Sequence, residues 1–159
     1  RCGVMFFGDL IKAFSDLRKG LHPGGRLLLA VWCAPEANEW YQFPMQCVEA
    51  FSETRDSPDY DAPGAFTLAK EARVRDILNT AGFTDINLAS HQPTLFVGST
   101  VSEAAELFMA MNSIRTLLHE ADDALEERVL QHMLEGLKDY QQDAGVYMKS
   151  ACWLISAKP

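Results

Sequence analysis

The stretch "LHPGGRLLLAVWC", residues 21–33, constrains the fold of this chain more than any other. Pro23 fixes one backbone dihedral, and Gly24-Gly25 permit positive φ and a close approach to whatever lies beneath them. The run that follows is apolar without alternation. A strand with one face in water alternates in polarity, whereas a strand covered on both faces reads as a continuous apolar run, as in parallel α/β sheets. Just upstream, "DLIKAFSDLRKG" sets Leu10, Ile11, Ala13, Phe14 and Leu17 at helical spacing, with Asp9 as N-cap and Lys19-Gly20 as a stop. A helix feeding a tight turn and a buried strand is an α/β signature.

The rest of the chain extends the pattern. Residues 34–66 mix prolines, acids and the aromatics Trp40, Tyr41, Phe43, Phe51, Tyr60 and Phe66, with one short amphipathic stretch from Phe43 to Phe51. So many aromatics suit a folded cap over a cleft, with plain core padding as the alternative. "TLAKEARVRDILNTAGF" predicts a helix with Val74, Ile77, Leu78 and Ala81 on one face and Gly82 as its C-terminal cap. "TDINLASHQ" predicts a half-covered strand. Thr100 with Glu103 forms a capping-box pattern ahead of a helix carrying Leu107, Phe108, Met111, Ile114 and Leu118. A second helix spans about Asp123 to Tyr140. Met109, Met111 and Met133 suit either an adaptable pocket or ordinary core. Val146 to Ala157 reads as one long closing strand. The expected organisation is a single domain: helix and strand in 1–33, cap in 34–66, helix and strand in 67–99, a two-helix insertion in 100–142, and the closing strand in 143–159.

Composition narrows the function. The 159 residues carry 14 Lys and Arg against 22 Asp and Glu, a net charge of −8. Phosphate binding rests on clustered cations, so a nucleic-acid partner is not expected. No apolar run reaches the roughly 18–20 residues that cross a bilayer, and no secretory signal is visible, so the expected location is cytoplasmic, away from membranes. Cys2, Cys33, Cys47 and Cys152 are far apart and have apolar neighbours, as buried thiols do. Neither they nor the four histidines show metal-ligand spacing, and no metal is expected.

Motifs for familiar chemistry are missing: there is no GxSxG, P-loop, HExxH or GxGxxG. Asp59 and Asp61 form a candidate acid/base pair, but two carboxylates in a Pro-rich loop more often solvate or cap a turn. No catalytic base can be named.

Three segments do carry a resemblance. "AFSDLRKGLHPGGRLLLAVW" resembles the part of class I S-adenosylmethionine-dependent methyltransferases (type 11-like) in which a helix ends in L-x-P-G-G and enters the fifth sheet strand. "RCGVMFFGD" is similar to the stretch after the fourth strand in one branch of that superfamily, although Cys2 stands where Phe is common. "VRDILNTAGFTDINL" is similar to the later helix and sixth strand, and the closing strand to the antiparallel seventh. The resemblance implies the C-terminal portion of a Rossmann-like sheet (strands five, six and seven) with a helical cap and an inserted helix pair.

That family holds its cofactor on a Gly-rich loop after the first strand and an acidic residue after the second, and this sequence has neither. The resemblance therefore implies S-adenosylmethionine as cofactor of a complete protein, with none bound by these residues alone. The cofactor-side candidates are Arg1, Cys2 and Gly3. The substrate-side candidates are Val4, Met5, Trp32, Trp40, Tyr41 and Phe43, serving a small apolar or aromatic acceptor. Without a fourth strand beside it, the fifth would be an apolar edge, so the competing expectation is a non-enzymatic α/β module that pairs into homodimers or larger assemblies through that edge.

Overall fold

A computed structural model describes residues 2–51 and 62–159; Arg1, Asp59, Tyr60 and Asp61 lie outside the described residues. The elements are, in order, α1 (Leu10–Gly20), β1 (Leu27–Trp32), α2 (Glu39–Glu49), α3 (Glu71–Thr80), β2 (Thr84–His91), β3 (Thr94–Gly98), α4 (Val101–Met109), α5 (Asn112–Leu117), α6 (Asp123–Leu137), β4 (Gln141–Gln142), β5 (Gly145–Lys149) and β6 (Cys152–Lys158). This is a mixed α/β chain with two small antiparallel sheets. It divides into two compact units, Arg1–Ala37 with Pro58–Gln92 and Ala151–Pro159, and Asn38–Ser57 with Pro93–Ser150.

In the first unit the sheet order is β1-β6-β2, and β6 runs antiparallel to both neighbours. β1 and β2 therefore point the same way. α1 starts where the Asp9 carboxylate accepts the Lys12 amide at 2.9 Å. It ends before a tight turn in which the Gly25 amide donates to His22 O at 2.8 Å, with Gly24 at φ +86°. Proline second and a positive-φ glycine third is the combination this turn needs. α3 closes in the same economical way: Gly82 sits at φ +86° and the Phe83 amide reaches back to Leu78 O at 2.9 Å. Leu10 and Phe14 of α1 and Val74, Ile77 and Leu78 of α3 share one core with Leu27, Val31, Ile155 and Ala157. The register places those four strand residues on one face of the sheet, so both helices cover the same face.

The other face differs from the expectation of a strand buried on both sides. Leu28 is 70% exposed and Leu154, one row along, is 45% exposed. The partner of β1 is antiparallel, not parallel. An unbroken apolar run reports what side chains prefer, and cannot tell which neighbour runs beside it.

The second unit pairs β3-β5-β4 and packs α2, α4, α5 and α6 around Phe108, Ile114, Val129, Met133, Leu137 and Met148. Thr100 caps α4 by accepting the Glu103 amide at 3.2 Å, and the Glu103 carboxylate takes the Ser99 amide at 2.8 Å. The expected helix pair is three helices. Phe108 and Ile114 are both buried, yet a continuous helix at 3.6 residues per turn would hold them roughly 120° apart. Extended backbone at Met111 (ψ 135°) breaks the helix and turns both inward. The methionine stripe is core: Met133 is inaccessible, and Met109 and Met111 pack against the same cluster.

The expected long closing strand is two strands in two sheets. Ser150 interrupts it, buried, donating both its amide (3.1 Å) and its Oγ (2.7 Å) to Pro93 O. β3 was not expected from the sequence. Among the described residues no helix is long and apolar enough to cross a membrane.

Candidate functional site

The carboxyl end of β1 gathers the elements that can form a site in the first unit. Cys33 continues the ladder, its amide donating to Ala151 O at 2.9 Å. In an antiparallel ladder hydrogen-bonded and non-bonded pairs alternate. Val31 and Leu29 therefore also aim their backbone groups at β6, while Leu28, Ala30 and Trp32 aim theirs at the open edge. On that open edge the Cys2 amide donates to Ala30 O at 2.9 Å. The stretch before α1 thus lies against β1 on the side away from β6. Cys2 adopts φ +47°, unusual for a side chain other than Gly, Asn or Asp. A 3-10 turn, Val4–Phe6, then buries Met5 completely while Phe6 and Phe7 stay exposed.

A second segment closes on the same end. Residues 66–69 are all buried although they form no regular element. The Gly64 amide donates to Met5 O at 3.2 Å, the Thr67 hydroxyl to Ala62 O, and the Ala69 amide to Phe66 O at 2.9 Å. Trp153, near the start of β6, donates its indole N–H to Ala69 O at 2.8 Å. The expected helix from Thr67 accordingly begins only at Glu71: the Ala69 carbonyl is bound by the indole, and Lys70 is extended (φ −84°, ψ 120°). Between this segment and the residues after β1 lies a cleft of about 110 Å³, lined by Ala34, Pro35, Phe66 and Ala69 with Glu36 and Lys70 exposed at its mouth.

The anticipated site residues fall in different places. Cys2, Gly3, Val4, Met5 and Trp32 belong to the first unit, where Cys2, Val4 and Trp32 pack partly buried against the core and Gly3 is exposed. Trp40, Tyr41 and Phe43 lie on α2 in the second unit. The Trp40 indole donates to Asn38 Oδ1 at 3.0 Å, and its ring meets Tyr41 edge-on at 5.9 Å. Phe43 is a packing residue there, 5.4 Å from Tyr140 and 6.2 Å from Phe108 between ring centres. A Cβ on Gly136 would come within 2.8 Å of the Phe43 ring, so a larger residue there would push that ring aside.

The cleft walls were not anticipated. The signal that could have found them is Trp153: an indole N–H in a mostly buried strand must find an acceptor, and a nearby non-helical carbonyl supplies it.

The thiols are suited to packing. Burial pushes Cys33 up to about 11, helped by Cys152 and opposed by a hydrogen bond from Ser90. Burial alone takes Cys47 to about 11. Cys152 is raised by burial and then by Cys2. Among the described residues no group of three or more His, Cys, Asp or Glu side chains is placed to hold a metal ion. No protein-family model matches the sequence, and no curated protein matches it.

Proposed function

We propose that this chain is the C-terminal portion of an S-adenosylmethionine-dependent methyltransferase acting on a small molecule, its first unit being the end of a Rossmann-like sheet. The observation that carries the reading is the placement of β6 between β1 and β2, antiparallel to both. Local sequence pattern would have been satisfied by many arrangements of three strands. The antiparallel closing strand is the one that the resemblance of "LHPGGRLLLAVW", "LNTAGFTDINL" and the C-terminus calls for. A reducing compartment such as the cytoplasm suits four cysteines that are all thiols.

The residues present do not fit the cofactor by themselves. The Cys2 amide is already committed to Ala30 O, and Gly3 alone offers no cradle. Methyl transfer from a sulfonium depends on alignment and on excluding water more than on a nucleophilic side chain. What these residues contribute is the substrate side, at the carboxyl end of β1, where open α/β sheets take their ligands. Titration calorimetry of the 159 residues with S-adenosylmethionine should give no micromolar binding, and micromolar affinity would contradict the division of labour. The coding frame upstream of Arg1 should specify a strand, a Gly-rich loop and a ribose-binding acid; a frame without them would sink the reading.

A second reading, a self-associating α/β module, has its own support. Among the described residues β1 has one strand neighbour, and Leu28 is 70% exposed beside the other edge, where Cys2 makes a single backbone bond. The occupant would be the β1 of a second copy, because two identical edges close antiparallel about a two-fold axis. Light scattering at tens of micromolar should then give twice the chain mass, and a monomer would reject it.

A further inference from the structure

We propose that the cleft between residues 34–36 and 66–70 binds a small, neutral, apolar group up to the size of one ring, such as the ring of a methyl acceptor. As an assignment of the acceptor this rests on the methyltransferase reading; as a binding site it does not. Two polar groups of the far wall are already engaged. The Thr67 hydroxyl is bound to Ala62 O and the Ala69 carbonyl to Trp153 Nε1. A water molecule in the cleft would meet mainly Pro35, Phe66 and alanine methyl groups and would find few of the two to four partners it needs. Replacing it with apolar atoms is favourable. Glu36 and Lys70 bring opposite charges to the mouth, so neither sign of ligand is preferred. The wall is held before any ligand arrives, tied to β6 through Trp153 and to the turn after Cys2 through the Gly64–Met5 bond. Size sets the upper limit. A dry cavity of about 150 Å³ accepts benzene, and this cleft, at about 110 Å³ and open on one side, seats one ring with its substituents outside.

The test uses phenol and the whole 159-residue chain, followed by amide chemical shifts. Saturable shifts confined to Glu36 and Phe66–Lys70 are expected, with a Kd on the order of 1 mM. Ala34 is exposed, so Ala34→Phe should fold while filling the mouth, and should weaken phenol at least about tenfold. No shift up to about 10 mM phenol, shifts centred elsewhere, or undiminished binding to a folded Ala34→Phe chain would each overturn the assignment; the wild-type shift map decides even if the variant misfolds. Because no S-adenosylmethionine enters the experiment, its failure leaves the methyltransferase reading standing.

Discussion

Replacing Trp153 with Phe tests whether the 66–70 wall is held by one hydrogen bond. The substitution keeps an aromatic ring in the first core and removes only the N–H that reaches Ala69 O at 2.8 Å. Ala69 is 8% exposed, so its carbonyl has little access to water. A buried acceptor that loses its partner costs about 1–3 kcal/mol, more than the roughly 1 kcal/mol net worth of an ordinary hydrogen bond. The smaller ring adds a modest packing loss, so the expected destabilisation of the first unit is about 2–3 kcal/mol. Urea unfolding by circular dichroism measures it, read as a transition of the first unit if the two units separate. Native-state hydrogen exchange should show the amides of Ala69 and Val74 losing protection beyond the global change. One response would mute the effect: without the indole, Ala69 O is available to the Arg73 amide and α3 can grow toward the position expected from sequence. Unchanged stability with no new protection at Arg73 would refute the view that the indole holds this wall and sets where α3 begins.

Three further outcomes are expected. Gly98→Ala should destabilise the second unit by about 2–4 kcal/mol in thermal or urea unfolding, because the new Cβ would meet backbone at Ala104 N (2.7 Å) and Thr100 O (3.1 Å), which cannot swing aside. Cys33 and Cys47 should resist thiol reagents in the native chain at pH 8 and react only on unfolding; since their folded values near 11 lie above the ordinary 9.0, the stability they confer is complete below pH 9 and declines as pH rises toward 11, which pH-dependent urea unfolding will register. Leu28→Lys should abolish any self-association seen by light scattering while changing stability by less than about 0.5 kcal/mol, as a surface substitution does; continued dimerisation would place the contact elsewhere.

What the sequence disclosed and what it hid divide along a physical line. α1, β1, α3, β2 and α6 were legible because each carries its own caps and periodicity: Asp9, the Pro23–Gly25 turn, Gly82 and the stripe from Val129 to Leu137 are local signals. The break at Ser150 was hidden because its partner, Pro93 O, lies 57 residues away and nothing near Ser150 announces it. β3 was hidden by its brevity, five residues between Pro93 and Ser99. The start of α3 was misplaced because Trp153, 84 residues distant, takes the Ala69 carbonyl. At the candidate site the apolar aromatics of residues 40–43 drew attention by composition. The cleft is instead lined by alanines, a proline and Phe66, residues whose only distinction is where long-range bonds hold them.

The connections of the first unit constrain the far edge of β1. β1 and β2 run in the same direction and are joined through α3, a crossover that is right-handed in nearly all sheets. α1, which leads into β1, covers the same face as α3. Under the same rule, two successive helices share a face when the strands they join advance across the sheet in one direction. A strand preceding α1 then belongs on the far side of β1, away from β6 and β2. That is the edge on which Cys2 donates to Ala30 O, a bond made by the residues that lead into α1. Topology and one hydrogen bond thus agree on where a further strand would be accommodated, and neither depends on the wording of any motif. The same reasoning separates the two readings of the chain. If a covalently preceding strand occupies this edge, a second copy of β1 cannot, and the Leu28→Lys variant would then be monomeric only because the parent chain is.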